Sequence, residues 1–266
     1  MAVQGSLRSL SGPDPPRTFD EKLQWYKLHY RRPILTQLAD KYAVREYVRQ
    51  HGLGHILNDL HGVYDRVDQI DLCALPDAFV LKATHGCGMN IICRSKRDLD
   101  WPESRRQLGR WLRKNHFWYG REWAYKDITP RIICEKHLEN EEYGELIDYK
   151  FYCYGGKPEA VFVCCGRFSP GGVRYDCHDM AWRRIPVSKG RPSAGLSLDR
   201  PRRFAEMAAI AAKLAGVFPF VRVDLYLVRD AIIFGELTFY PDGGIVSFSP
   251  PEYNRFFGDF FILPDR

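Results

Sequence analysis

The sequence predicts an α+β fold built on antiparallel sheets, and three observations carry that expectation. A helical period in the first third gives way, after Leu75-Pro76-Asp77, to short apolar runs with strand spacing. Those runs come in pairs around glycine turns, at His85 to Asn90 and at Gly155-Gly156, as the strands of hairpins do. Helices do not alternate one for one with strands, which argues against a repeated βαβ parallel sheet.

Element by element, Phe19 to Tyr30 is polar-aromatic at helical spacing. Asp40 can cap a second helix, in which Ala43, Val44, Tyr47 and Val48 form an apolar stripe that Gly52 ends. Ala78 to Thr84 and Asn90 to Arg94 read as strands, Trp101 to Tyr119 as a helix with a basic face, and Arg131 to Glu135 as a short buried strand. Tyr149 to Tyr154 and Ala160 to Cys165 follow as strands, and Gly166 to Arg200 is the least regular stretch. Pro201 opens a helix with Phe204, Met207, Ala211 and Leu214 on one side and Gly216 past its end. Phe220 to Val228 and Ala231 to Tyr240 are the last two strands.

Composition bounds the class. The 266 residues are 45% hydrophobic and 27% charged with a formal net charge of +6, too apolar for a disordered chain. There is no eighteen-residue apolar window and no secretory signal pattern in Met1 to Pro16, so a cytoplasmic protein without a membrane span is expected. Arg outnumbers Lys, which suits phosphate or carboxylate partners and equally a GC-rich genome. The eight cysteines contain no C-x-x-C pair and read mostly as reduced, buried hydrophobes, leaving Cys177-His178 as a poor beginning for a zinc site.

Several segments can carry chemistry. The loop His85-Gly86-Cys87-Gly88-Met89-Asn90 runs from strand to strand with Lys82 just upstream, a pattern for a flap over a triphosphate, although a plain hairpin accounts for the glycines alone. In Arg222-Val223-Asp224 and Glu236-Leu237-Thr238, charged side chains two apart share a strand face. Asp224 and Glu236 can then meet a metal and Arg222 a phosphoryl group, if a three-residue turn around Arg229 to Ala231 sets the register; a buried ion pair is the alternative. Ile132 to Leu138 is either a strand end or a hinge reading an adenine edge, with Glu141, Glu142 or Glu145 near a ribose. Lys41, beside Asp40 at a helix start, and Lys150, in an aromatic strand, are cations whose positions an anion would rationalise.

In this order the segments resemble the ATP-grasp superfamily, closest to its TupA-like (teichuronopeptide biosynthesis) branch, which accompanies polysaccharide biosynthesis. Pro16 to Trp25, Asp40 to Arg45, Phe79 to Gly88, Pro130 to Glu135, Asp148 to Phe151, Arg222 to Tyr226 and Phe234 to Phe239 carry the resemblance. It implies two α+β subdomains clamping a nucleotide, over 76–134 and 135–266, after a short helical segment over 1–75. It also implies ATP and magnesium as cofactors. Lys41, Lys82, His85, Gly86 and Gly88 are then assigned to ATP phosphates; Glu135, Lys136 and Leu138 to adenine; Asp224, Glu236 and Thr238 to Mg2+; and Arg222 and Lys150 to catalysis. Thr238 stands where many such ligases have Asn, and seventy-five residues before Pro76 are too few for the usual N-terminal acceptor domain.

The implied activity is carboxylate-amine ligation through an acyl phosphate, on small-molecule acid and amine substrates such as a uronic-acid sugar or a peptide-like metabolite. A nucleotide-sugar glycosyltransferase using Asp224 and Glu236 as metal ligands is the rival enzyme, and a non-catalytic ATP-binding partner the rival module. Dispersed cations without a recognised motif argue against nucleic acid. No general base is singled out beyond the loop histidines His85 and His178.

Overall fold

The computed structural model describes residues 15–139, 145–166, 172–193 and 199–265. The chain packs as two compact units, Arg32–Glu139 and Met1–Arg31 with Asn140–Arg266. The sequence reading places the divisions after residues 75 and 134 instead. Two pieces of the expected helical segment account for the difference, because each is bound to a different sheet.

In the 32–139 unit, α2 (Ile34–Ala39) and α3 (Val44–Gln50) precede β1 (Leu60–Tyr64), an edge strand the sequence reading missed. β2 (Phe79–Ala83), β3 (Asn90–Cys93) and β4 (Ile132–Lys136) complete an antiparallel sheet in the order β1-β4-β2-β3. One face of it, Phe79, Leu81, Ala83, Ile132 and Cys134, packs on Leu108 and Trp111 of α4 (Trp101–Leu112). Asp100 caps α4 by accepting the Glu103 N–H at 2.9 Å. The expected single helix to Tyr119 is broken at Asn115, whose Oδ1 accepts the Phe117 N–H at 3.0 Å and starts the short α5 (Phe117–Gly120).

The other unit is built on β5 (Asp148–Tyr154), β6 (Lys157–Cys165), β7 (Arg174–His178), β8 (Arg184–Ile185), β10 (Phe220–Val228) and β11 (Ala231–Thr238), ordered β11-β10-β5-β6-β7-β8 and antiparallel throughout. β7, β8 and β9 (Ser188–Lys189) lie in the stretch expected to be irregular. α6 (Phe204–Ala215) covers one sheet face, stacking Phe204 on Phe151 at 5.8 Å. The opposite face meets α1 (Phe19–His29), whose start is fixed by a Thr18/Glu21 capping box, and α7 (Glu252–Phe260). There Phe19, Tyr152, Phe220, Phe248 of β12 (Phe248–Ser249), Phe257 and Phe261 form an aromatic cluster. No helix among the described residues is long and apolar enough to cross a membrane.

Candidate active site

In the 32–139 unit, strand alternation puts Lys82, Ile133 and Glu135 on the face away from α4. Glu135 is held between two cations: Lys82 Nζ lies 2.7 Å from Oε2 and Arg45 of α3 lies 3.3 Å from Oε1. Arg45 also donates to the Asn58 carbonyl at 2.7 Å. Its side chain and that of Glu135 are nearly buried, at 8% and 10% exposure, while Lys82 keeps 25%. Two cations on one carboxylate leave a net positive charge whose accessible end is Lys82, a chemistry suited to an anion.

The glycine loop is shaped by contact. A Cβ at Gly86 would lie 2.4 Å from Met89 Cε and 3.1 Å from His116 Nδ1, and Gly88 has φ +70°. Lys41 precedes α3 in a turn, where Asp40 Oδ1 accepts the Tyr42 and Ala43 N–H groups. Its ammonium donates to the Gly86 carbonyl at 2.8 Å, so the unfavourable helix-start cation of the sequence reading is a strut under the loop.

Two assignments change in this unit. His85 is 2% exposed, and its Nε2 donates to the Trp111 carbonyl at 3.0 Å, toward α4. Burial lowers its pKa, so it is a neutral packing group rather than a phosphate ligand or an accessible base. Lys136 gives its N–H to Asp59 O at 3.0 Å, takes Asn58 Nδ2 on its carbonyl at 2.9 Å, and pairs its ammonium with Asp59 at 3.3 Å. The first backbone groups past this sheet are those of His137 and Leu138. Glu141 and Glu142 lie outside the described residues, and Glu145 Oε1 accepts the Gly166 N–H at 2.6 Å.

The second cluster occupies one face of the six-stranded sheet. Asp224 stands opposite Lys150 on one side and Glu236 on the other, and Arg222 opposite Tyr152 and Thr238. The register that allows this comes from a different device than expected. The turn holds two residues, since Val228 pairs with Ala231 and Arg229 has φ +56°. A bulge then leaves Gly235 unpaired, between Leu225↔Phe234 and Asp224↔Glu236, which brings the two acids face to face. A Cβ at Gly235 would sit 3.0 Å from the Asp224 carbonyl oxygen, so glycine permits the close approach.

Arg222 grips Asp224 bidentately at 2.6 and 2.7 Å and reaches Glu236 Oε1 at 2.9 Å and Thr238 Oγ1 at 3.0 Å. Thr238 in turn donates to Glu236 Oε1 at 2.9 Å. Lys150 Nζ lies 2.6 Å from Asp224 Oδ2 and 3.6 Å from Asp148 Oδ2. Burial pulls down both cations' pKa values, but Asp148 and Asp224 raise that of Lys150, and Asp224 and Glu236 that of Arg222, so both stay charged. Glu236, at 30% exposure, is the accessible acid; Asp224 is 2% exposed.

Two carboxylates and a hydroxyl are hard oxygen donors of the kind magnesium takes. Arg222 and Lys150 already neutralise those carboxylates, and no preformed group of three or more His, Cys, Asp or Glu suited to a metal occurs among the described residues. These donors would suit magnesium better in the presence of a phosphate, which would add oxygen ligands and could draw Arg222 and Lys150 away from the carboxylates. His178 is on the other face: it pairs with Val161 and stacks on Trp182 at 4.4 Å, which meets Phe204 of α6. None of the eight cysteines forms a disulfide; Cys73 and Cys87 are exposed and the rest buried.

A family model described as TupA-like ATPgrasp matches residues 21–262, so the chain belongs to that family. No curated protein matches the sequence. Similar solved structures include the D-alanine–D-alanine ligase of Bacillus anthracis complexed with ATP, at 13% identity and TM-score 0.45, covering 89% of this chain and 62% of that one. An N5-carboxyaminoimidazole synthase of Aspergillus clavatus with ADP and 5-aminoimidazole ribonucleotide is 14% identical, with TM-score 0.44 and coverages of 76% and 44%. The ATP-grasp ligase PsnB, with minimal precursor, Mg and ADP, is 14% identical, with TM-score 0.43 and coverages of 82% and 57%. This chain thus spans between 44% and 62% of the length of those three.

Proposed function

We propose that this member of the TupA-like ATP-grasp family is an ATP- and magnesium-dependent ligase that joins a carboxylate to an amine, on a uronic-acid sugar or peptide-like metabolite. The observation that carries the reading is the array of Arg222, Lys150, Asp224, Glu236 and Thr238, matched across three neighbouring strands. Family membership supports it.

Lys82 and the loop carrying Gly86 and Gly88, braced by Lys41, bind phosphates, and the backbone at Leu138 meets the base. Arg222 and Lys150 turn from Asp224 to the transferring phosphoryl group, offsetting charge on its oxygens as the acid's carboxylate attacks phosphorus and ADP leaves. The amine then attacks the acyl carbon, its nitrogen gives up a proton as phosphate departs, and an amide remains. Asp224, Glu236 and Thr238 would hold magnesium, which when bound would neutralise phosphate charge.

The test is ADP formation across panels of acids and amines, with hydroxylamine added to trap the activated acid as a hydroxamate. Hydroxamate that depends on both ATP and an acid is the expected result. Intact ATP binding with no ADP formed on any pair, or release of UDP or GDP from nucleotide sugars, overturns it.

A further inference from the structure

Part of the arginine surplus of the sequence is concentrated in one segment. Between Trp101 and Arg121 stand six cations, Arg105, Arg106, Arg110, Arg113, Lys114 and Arg121, against the single acid Glu103, in a chain whose whole net charge is +6. All six are exposed. In α4, Ser104, Leu108 and Trp111 are buried, and Arg106, Arg110 and Arg113, at the same helical spacing two residues on, line the opposite side. The chain then turns into α5, where Trp118 and Tyr119 stand 65% and 70% exposed. The Arg121 guanidinium lies 4.7 Å from the Trp118 ring centroid and the Lys114 ammonium 5.9 Å from that of Tyr119.

Two adjacent large rings held in water beside a concentrated positive charge mark an interaction surface, and its chemistry selects the partner. The partner is anionic and offers an apolar layer of shallow depth. A bilayer surface with anionic lipids provides both, since Trp and Tyr settle at headgroup level while Arg and Lys keep their charges among the phosphates. A nucleic acid would need open ring faces for stacking, and here cations already occupy one face of each ring.

We propose that the basic side of α4 and the Trp118-Tyr119 tip form a docking surface for an anionic membrane, a peripheral attachment independent of the ligase chemistry. The surface lies wholly in the 32–139 unit and uses none of the nucleotide or metal residues.

Vesicle flotation of the full chain tests this, with phosphatidylcholine alone and with phosphatidylcholine containing about one third phosphatidylglycerol. The expected result is salt-sensitive binding to the anionic vesicles only. Replacing Trp118 and Tyr119 by Ser should weaken it roughly tenfold. Changing Arg105, Arg113, Lys114 and Arg121 to Gln should weaken it about a hundredfold, with unchanged melting temperature. Failure to float with anionic vesicles, equal flotation with neutral ones, or undiminished binding by both variants overturns the proposal. So does binding of a single-stranded oligonucleotide or a sulfated polysaccharide through these residues when vesicles do not bind.

Discussion

The two ionic clusters are built alike and balanced differently. In the four-stranded sheet, one buried acid, Glu135, faces Lys82 and Arg45. In the six-stranded sheet, Asp148, Asp224 and Glu236 face Arg222 and Lys150. The first keeps positive charge to spare and can receive phosphate directly. The second holds one acid more than it has cations, but both cations are already engaged with those acids, so the cations can reach a phosphoryl group only by exchanging partners. Under the proposed function, anion capture falls to the first cluster and metal-assisted chemistry to the second.

The largest effect is expected at the most deeply shared acid. Asp224→Ala leaves Arg222 and Lys150 without their shared buried acid and should cost about 3–5 kcal/mol of stability, read from urea unfolding. Loss of activity with unchanged unfolding would mean that Asp224 does not hold these cations. Glu236→Gln keeps an oxygen for Arg222 and Thr238 and removes a negative charge from the more exposed acid. It should lower ADP formation roughly a hundredfold or more, with stability within about 1 kcal/mol of the parent. Lys82→Ala should weaken ATP binding roughly tenfold, read by titration calorimetry, because Arg45 still neutralises Glu135 while the accessible cation is gone.

The smallest effect concerns pH and lies outside both clusters. Burial lowers the pKa values of His85, His116 and His178 below the ordinary 6.5. Below that value the unfolded chain binds protons that the folded chain refuses, so stability falls as pH drops through and below 6.5. Urea midpoints should therefore decline between about pH 7 and pH 5. His85→Gln should flatten part of that decline, and an equal decline in the variant would mean that His85 is not buried neutral.

The same contrast explains what the sequence made legible. The strands of both clusters could be read, because Phe79 to Ala83 and Phe220 to Val228 are dense in apolar residues and bounded by turns. The partners could not. That Glu135 is shared by Lys82 and Arg45 depends on α3 packing against the sheet, which no local spacing encodes. Asp224 and Glu236 were recognised as a pair through the wrong turn, since Arg229-Asp230 lacks the usual Asn-Gly marking of a two-residue hairpin and Gly235 did not announce a bulge. β1 escaped notice because Gly62 interrupts a short, partly exposed edge strand. α7 went unread although Phe256, Phe257 and Phe260 fall on one helical side, because the helix is only nine residues long and follows directly on Pro250-Pro251.

Under the proposed function, the second cluster takes up metal only together with phosphate. Calorimetric titration with magnesium alone, ATP alone and both together tests it most directly. No measurable binding of magnesium alone is expected, and magnesium should strengthen ATP binding at least tenfold, with Glu236→Gln losing that strengthening. Tight binding of magnesium to the free protein, or ATP affinity indifferent to the metal, would contradict it.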